Sequence, residues 1–285
     1  MKKTAVLSLF FLFCFSCTLN SQQQEATVYV TAEDKAIFER FISAMESKRA
    51  LSTEDLILET ARFFLDTPYL GGTLEQEPEG LVVNLRAFDC STFVDNVYAL
   101  TRTLKGDARS FEAYCNHLRQ LRYREGQIGD YTDRLHYTSD WIYENQRKGL
   151  VKDVTAAIGG EPYPLRLDFM STHPESYKQL NGFPERIARI QEIEKEINAR
   201  SYYYIPEADI NRLSAGMRNG DMVCFVTTIN GLDHSHVGLI YWQGEKLTFI
   251  HASSSGKVII NEEPLSRYVE RIKSNSGVMI VRFQD

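Results

Sequence analysis

The sequence is poor in the features that would assign it to the commonest classes. Of its 285 residues only five are cysteine, which is no disulfide framework at this length. Their one CxxC, Cys14 to Cys17, lies in the apolar N-terminal run, and no second CxxC or Cys-His spacing typical of zinc fingers accompanies it. Positive charge is outnumbered, with 32 Lys+Arg against 38 Asp+Glu and a net charge of −6, and neither half carries a basic block. This argues against a phosphate-tracking nucleic-acid surface. No GxGxxG or GxxxxGK[ST] run is present, so the nucleotide-binding fingerprints are missing. There is no internal repeat and no low-complexity tract. What remains is ordinary: 43% apolar and 25% charged residues, values that exclude disordered, collagenous and fibrous chains. The length fits one large domain, or one domain with an elaborate insertion.

The start of the chain reads as an export signal. Lys2 and Lys3 precede residues 5–15, all apolar except Ser8. Such a run is too short for a bilayer span of about 20 residues and matches a secretory h-region. It ends Cys14-Phe15-Ser16-Cys17 and then turns polar. The small residue before a cysteine resembles a bacterial lipobox. Residues 1–16 are therefore expected to be a signal peptide of lipoprotein type, with Cys17 lipidated. The expected location is the periplasm, anchored to the cell envelope.

Hydrophobic periodicity places the remaining elements. Residues 33–48 and 53–65 read as helices, giving an N-terminal helical unit over 25–65. A strand is predicted at 81–85 and a helix from Cys90 to about Leu104. Residues 107–200 read as mostly helix or loop. Strand signals then cluster at 222–229, 236–242, 246–251 and 257–260, with a helix at 264–273 and a strand at 278–283. Helices followed by short strands at hairpin spacing predict an α+β fold rather than alternating βαβ units.

One cysteine and two histidines carry the chemistry. Cys90 lies at a predicted helix start, with Asp89 as a natural N-cap. The helix dipole there favours thiolate, while the adjacent Asp89 carboxylate opposes it, so an imidazole neighbour is needed for a strong nucleophile. His236 begins one strand of a predicted hairpin and His251 ends the other. A turn centred on Gln243-Gly244 sets them directly opposite, on one face. That arrangement suits a Cys–His–polar relay, with one ring orienting the other.

These residues fall within a recognisable set of motifs. Thr67-Pro68-Tyr69-Leu70-Gly71-Gly72, Asp89-Cys90-Ser91-Thr92-Phe93-Val94, Gly220-Asp221-Met222-Val223, Ser235-His236-Val237-Gly238 and Ile250-His251-Ala252-Ser253-Ser254 resemble, in this order, the NlpC/p60 cell-wall hydrolases. The resemblance implies a papain-like core over 66–104 and 206–285, in which a helix-borne cysteine packs on an antiparallel sheet. Residues 105–205 would be a large, mainly helical inserted subdomain. It further implies Cys90 as nucleophile, His236 as general base, His251 as the orienting residue, Tyr69 beside the oxyanion, and Asp89 and Ser235 in contact with substrate. Two departures stand out: the long middle segment, and Thr92 where glycine is usual.

The middle of the chain extends the likeness. Thr73-Leu74-Glu75, Gly129-Asp130-Tyr131, the run from Arg134 to Trp141, and Phe169-Met170-Ser171-Thr172-His173-Pro174 resemble an N-acetylmuramoyl-L-alanine amidase-like branch found in Bacteroides and relatives. That likeness implies hydrolysis of the amide between N-acetylmuramic acid, preferably in its 1,6-anhydro form, and L-Ala. Arg134, His136, Tyr137, Asp140 and Trp141 then become candidates for a pocket wall, although an amphipathic helix with surface charges would read the same. Arg86 would pair with a substrate carboxylate or equally with Asp89. His234 and His236 would make only half of a metal site, with no HExxH beside it. No metal, cofactor, nucleic-acid or protein partner is implied; the partner is a muropeptide. An L-Ala-γ-D-Glu endopeptidase and a non-catalytic muropeptide-binding lipoprotein remain the alternative readings.

Overall fold

The computed structural model describes residues 27–284; the expected signal peptide and Cys17 lie outside the described residues. After the short strand β1 (Val28–Tyr29), Thr31 and Asp34 form a capping box that starts α1 (Ala32–Met45). Ser52 caps α2 (Thr53–Phe63). Such caps contribute about 1 kcal/mol each by satisfying backbone donors that the first turn leaves unpaired. β2 (Leu81–Val82) pairs in parallel with β1, so the strand expected over 81–85 is only two residues long.

Helix α3 (Cys90–Lys105) is buried almost all round, with Phe93, Val97, Tyr98 and Leu100 fully enclosed. A helix with no solvent face must sit between layers. It packs against α2, against α4 (Phe111–Arg122), and on the strands carrying the two histidines.

Those strands belong to an antiparallel sheet. Following α5 (Thr138–Arg147), β3 (Val151–Asp153), α6 (Thr155–Ile158), β4 (Glu161–Tyr163), α7 (Phe169–Thr172) and α8 (Pro184–Asn198), the chain runs through β5 (Tyr202–Pro206) and α9 (Ile210–Leu213). It then forms β6 (Met222–Thr227), β7 (His234–Gln243), β8 (Lys246–Ser253), β9 (Lys257–Ile260), α10 (Leu265–Arg271) and β10 (Asn275–Phe283). The sheet order is β4-β5-β10-β6-β7-β8-β9, with β3 also on β10. Both faces are covered. Cys224, Val226, Val237 and Leu239 join the larger core with α1 to α5. Val223, Phe225, Ile240 and Phe249 join a second core with α9 and α10. The alternation follows from the period of two along a strand.

The 105–205 segment is laced into this sheet rather than set apart as a helical subdomain. β5 and β3 occupy successive stretches of one side of β10, while β6 occupies the other. Gly277 makes the β5 contact possible, because a Cβ there would come within 2.2 Å of the Ile205 carbonyl oxygen. The three strands are too short and mixed in character to show a period of two, which is why the sequence reads as helix and loop there. Among the described residues no helix is long and apolar enough to cross a membrane.

Candidate active site

Asp89 and Thr92 form a full capping box at the head of α3: Thr92 N donates to Asp89 Oδ1 at 2.8 Å, and Asp89 N to Thr92 Oγ1 at 2.9 Å. Glycine at position 92 could not close this box, so the departure at Thr92 is a structural gain. It also gives Asp89 a structural role: its Oδ1 accepts from both the amide and the hydroxyl of Thr92.

The loop before Cys90 is held from α1. Buried Asp34 accepts Leu85 N at 2.8 Å and Arg86 Nε at 3.0 Å. Of its two expected partners Asp89 is not the one met: Asp34 holds Arg86 Nε, and the pair braces the approach to Cys90. Burial raises the Asp34 carboxyl, but hydrogen bonds from Thr31, Leu85 and Arg86 outweigh it and hold the group below the ordinary carboxylate range.

Cys90 is half-buried and lines a cavity of about 230 Å³ together with Ser91, His136, Tyr137, Ser235 and His236. Burial and the Asp89 charge push the thiol up to about 11, against hydrogen bonds from the Val237 and Ser91 amides. At this helix start, burial and the Asp89 charge outweigh the hydrogen bonds that favour thiolate. Tyr69 sits beside it. Burial and the neighbouring Cys90 and Asp89 raise its phenol, and its backbone N–H donates to Gly256 O at 2.7 Å.

The hairpin differs from expectation by one step. Gln243 pairs with Lys246, so the turn is Gly244-Glu245, with Gly244 at φ +61° in the first central position. Both favoured hairpin turns require a positive φ there. The ladder then sets His251 across from Gly238, not from His236. The shift preserves the face, and the two rings meet on a diagonal: His236 Nε2 lies 2.6 Å from His251 Nδ1. Burial pushes His236 down to about 4; burial and the adjacent His236 push His251 down to about 3.

A bulge at Ser235 separates His236 from His234. Phe225 pairs with His236 and Val226 with His234, so the two rings point to opposite faces and cannot chelate one ion together. Ser235 Oγ donates to Asn275 Oδ1 at 2.9 Å at the cavity rim.

The candidates from the middle segment divide. His136 and Tyr137 reach the Cys90 cavity. His136 Nε2 donates to Tyr131 O at 2.8 Å, and burial with Arg134 nearby pushes it down to about 3. Tyr137 donates to Glu194 Oε1 at 2.7 Å. Arg134 and Trp141 line an adjoining cavity. Asp140 lines neither cavity. It is buried between Arg124 and Arg200 and is a structural ion-pair centre.

Several residues escaped sequence reasoning. Tyr268 on α10 contacts both imidazoles, its ring centroid 5.9 Å from that of His251 and 6.4 Å from that of His236. Tyr177 and Leu232 also line the Cys90 cavity. Nothing in their local spacing marks them; only the fold brings them to the site. A cavity of about 720 Å³ exists elsewhere, but none of Cys90, His236 or His251 lines it.

Comparison with known proteins identifies the family of the chain. Residues 59–278 match the family described as AmiA-like, N-acetylmuramoyl-L-alanine amidase-like. An N-acetylmuramoyl-L-alanine amidase from Bacteroides uniformis is 34% identical with a TM-score of 0.78, over 82% of this chain and 99% of that one. A Bacteroides fragilis protein provisionally named a xylanase is 37% identical with a TM-score of 0.75, over 79% of this chain and 100% of that one. A Legionella pneumophila protein, 24% identical with a TM-score of 0.64 over 88% of this chain and 96% of that one, shares the fold. No curated protein matches the chain.

Proposed function

Since the chain belongs to the AmiA-like, N-acetylmuramoyl-L-alanine amidase-like family, we propose that it is a cysteine amidase of papain-like, NlpC/p60 type. Its substrate is the amide between N-acetylmuramic acid, preferably in the 1,6-anhydro form, and L-Ala in peptidoglycan fragments. The observation that carries this reading is the meeting of Cys90 and His236 in one cavity, with His236 Nε2 bound at 2.6 Å to His251.

The chemistry follows from that geometry. His251 Nδ1 accepts the His236 Nε2 proton, which leaves His236 Nδ1 as the basic nitrogen. As the Cys90 sulfur attacks the amide carbon, its proton passes to His236. The Cys90 N–H and the Tyr69 hydroxyl support the oxyanion. His236 returns the proton to the departing L-Ala nitrogen and the C–N bond breaks. Water then attacks the thioester, His236 takes and returns a second proton, and the thiol and a muramic carboxylate form.

Residues of the middle segment, among them Tyr131, His136, Tyr137 and Tyr177, wall the catalytic cavity. A walled site suits chain ends and small fragments better than a continuous glycan strand. Export and a lipid anchor at Cys17 would place the enzyme where such fragments arise.

A glycosidase would need two carboxylates flanking the scissile bond. Here Glu75 faces Arg134 at 3.2 Å, Asp233 accepts Ser139 N at 2.6 Å, and Asp89 caps α3. Each of the three carries a structural contact of its own.

The test is digestion of defined muropeptides and intact sacculi, with products identified by mass. Wild type should release the whole stem peptide from anhydro-muropeptides, Cys90→Ala should release none, and sacculi should yield far less. Cleavage after L-Ala would mean an endopeptidase, and no cleavage by wild type would mean a binding protein.

A further inference from the structure

Two arginines beside the catalytic cavity have guanidinium groups that are only partly used. Arg122, at the end of α4, gives Nε to Asp95 Oδ2 at 3.1 Å and Nη1 to Val82 O at 2.8 Å, and its Nη2 is buried without a partner. Arg134 meets Glu75 at 3.2 Å and Glu79 at 3.5 Å and lies over the Tyr131 ring; its Nη2 is likewise buried and unpartnered. The two residues are 3% and 5% exposed. Buried donors left unpaired are costly and rare in native proteins.

Both arginines line one compartment of about 160 Å³, with Val94, Leu135, Trp141 and Met222 as its apolar wall. Glu75, Ser91, His136 and Thr138 line this compartment and the catalytic cavity alike, so the two adjoin at the residue after the nucleophile.

Charge decides what would fit. Asp95 answers Arg122 and also accepts Trp141 Nε1 at 3.1 Å, while Glu75 and Glu79 answer Arg134. A carboxylate entering here would meet three others. The spare N–H groups call instead for neutral oxygen acceptors, with apolar surface beside them. In a muramoyl peptide, hydroxyls and an N-acetyl carbonyl lie on the sugar side of the scissile amide. The peptide side carries free carboxylates.

We infer that the Arg122–Arg134–Trp141 compartment is the subsite for the N-acetylated sugar, so that the stem peptide departs from the opposite side of Cys90. The inference rests on the amidase reading. It is tested by binding alone, so a failure of either is recognised separately.

The chain has two tryptophans. Trp242 lies outside the compartment, so Trp242→Phe leaves Trp141 as the only indole reporter. This protein is titrated with the methylamide of 1,6-anhydro-N-acetylmuramic acid, a neutral mimic of the sugar side, and separately with L-Ala-γ-D-Glu. The expected result is a saturable change in Trp141 fluorescence with the sugar and none with the dipeptide, and at least tenfold weaker sugar binding after Arg134→Gln. No response to the sugar, or an equal or larger response to the dipeptide, overturns the assignment. If Arg134→Gln does not fold by circular dichroism, the two titrations decide alone. Muropeptide cleavage reports independently on the amidase reading.

Discussion

His236 Nε2 and His251 Nδ1 lie 2.6 Å apart across a diagonal of the β7–β8 ladder, one step from the direct opposition that the hairpin spacing suggests. Gly238 makes room for the diagonal, since it lies across from His251 and a Cβ there would come within 3.3 Å of His251 Cβ. His236 Nε2 is engaged by this contact, so under the proposed mechanism Nδ1 is the ring nitrogen left to serve Cys90.

His236→Ala should therefore lower kcat nearly as far as Cys90→Ala, because the base acts in both half-reactions. His251→Gln should retain more activity than His251→Ala. Gly238→Ala should crowd His251 and reduce kcat at least tenfold with little change in KM. Steady-state kinetics on one muropeptide checks the order, and a His251 variant weaker than His236→Ala would contradict it.

Asp89 should slow the reaction of Cys90 with alkylating reagents, because its charge adds to burial in raising the thiol to about 11. Asp89→Asn keeps a capping side chain and removes the charge. Iodoacetamide labelling of Cys90 at pH 8 should become severalfold faster, with Cys115 and Cys224 unchanged. Equal labelling rates before and after the substitution would show that the charge has no hold on the thiol.

Tyr268 should tune the imidazole pair by excluding water. The charged and titratable groups around it are Cys90, Arg271, whose guanidinium lies 5.3 Å from the centre of its ring, and Glu263, paired with Arg271 at 3.1 Å. Tyr268→Phe should preserve the acid limb of the kcat/KM profile. Tyr268→Ala should admit water and move that limb upward by about one pH unit, because less desolvation favours imidazolium. Identical limbs in all three proteins would assign Tyr268 to packing alone.

Stability should fall between pH 6.5 and 4. His136, His236 and His251 are pushed down to about 3, 4 and 3, while the unfolded chain titrates near the ordinary 6.5. The unfolded state then binds more protons in this window. Each such histidine removes up to about 1.4 kcal/mol per pH unit as pH decreases. Urea unfolding at pH 7, 6 and 5 should show this slope, and His136→Gln should reduce it. A flat profile would mean that these rings are solvated.

Asp34 follows the sign rule of a carboxyl whose folded value is depressed. Its stabilisation is present above the unfolded value of 3.8 and is lost as pH falls through the lower folded value. At pH 7 Asp34→Ala should cost roughly 2 kcal/mol, since buried donors lose their acceptor. It should also loosen the loop before Cys90, which a parallel loss of kcat would report.

The elements that carry Cys90, His236 and His251 were legible in the sequence because they are built from local rules. Asp89 caps a helix whose apolar faces repeat at helical spacing, and the strands from 222 to 260 alternate between the two faces of a sheet. The same-face placement of His236 and His251 was legible for a like reason: parity along a ladder survives a shift of the turn by one residue. The exact pairing was not, because the choice between Gln243-Gly244 and Gly244-Glu245 depends on which position takes the positive φ.

The sequence by itself determined the helix that carries Cys90, the hairpin that carries the histidines, and the motifs that relate both to a family of amidases. Only the tertiary structure decided the surroundings of these residues. Arg86 and Asp140 are charged side chains whose partners, Asp34, Arg124 and Arg200, lie 52, 16 and 60 positions away, and no local pattern encodes such pairs. Tyr268 reaches the histidines because α10 covers the second core, and the middle segment walls the cavity because β3 and β5 are laced onto β10. Periodicity reports which face of an element is buried. It does not report against what, because burial is non-directional and the partner is chosen by packing.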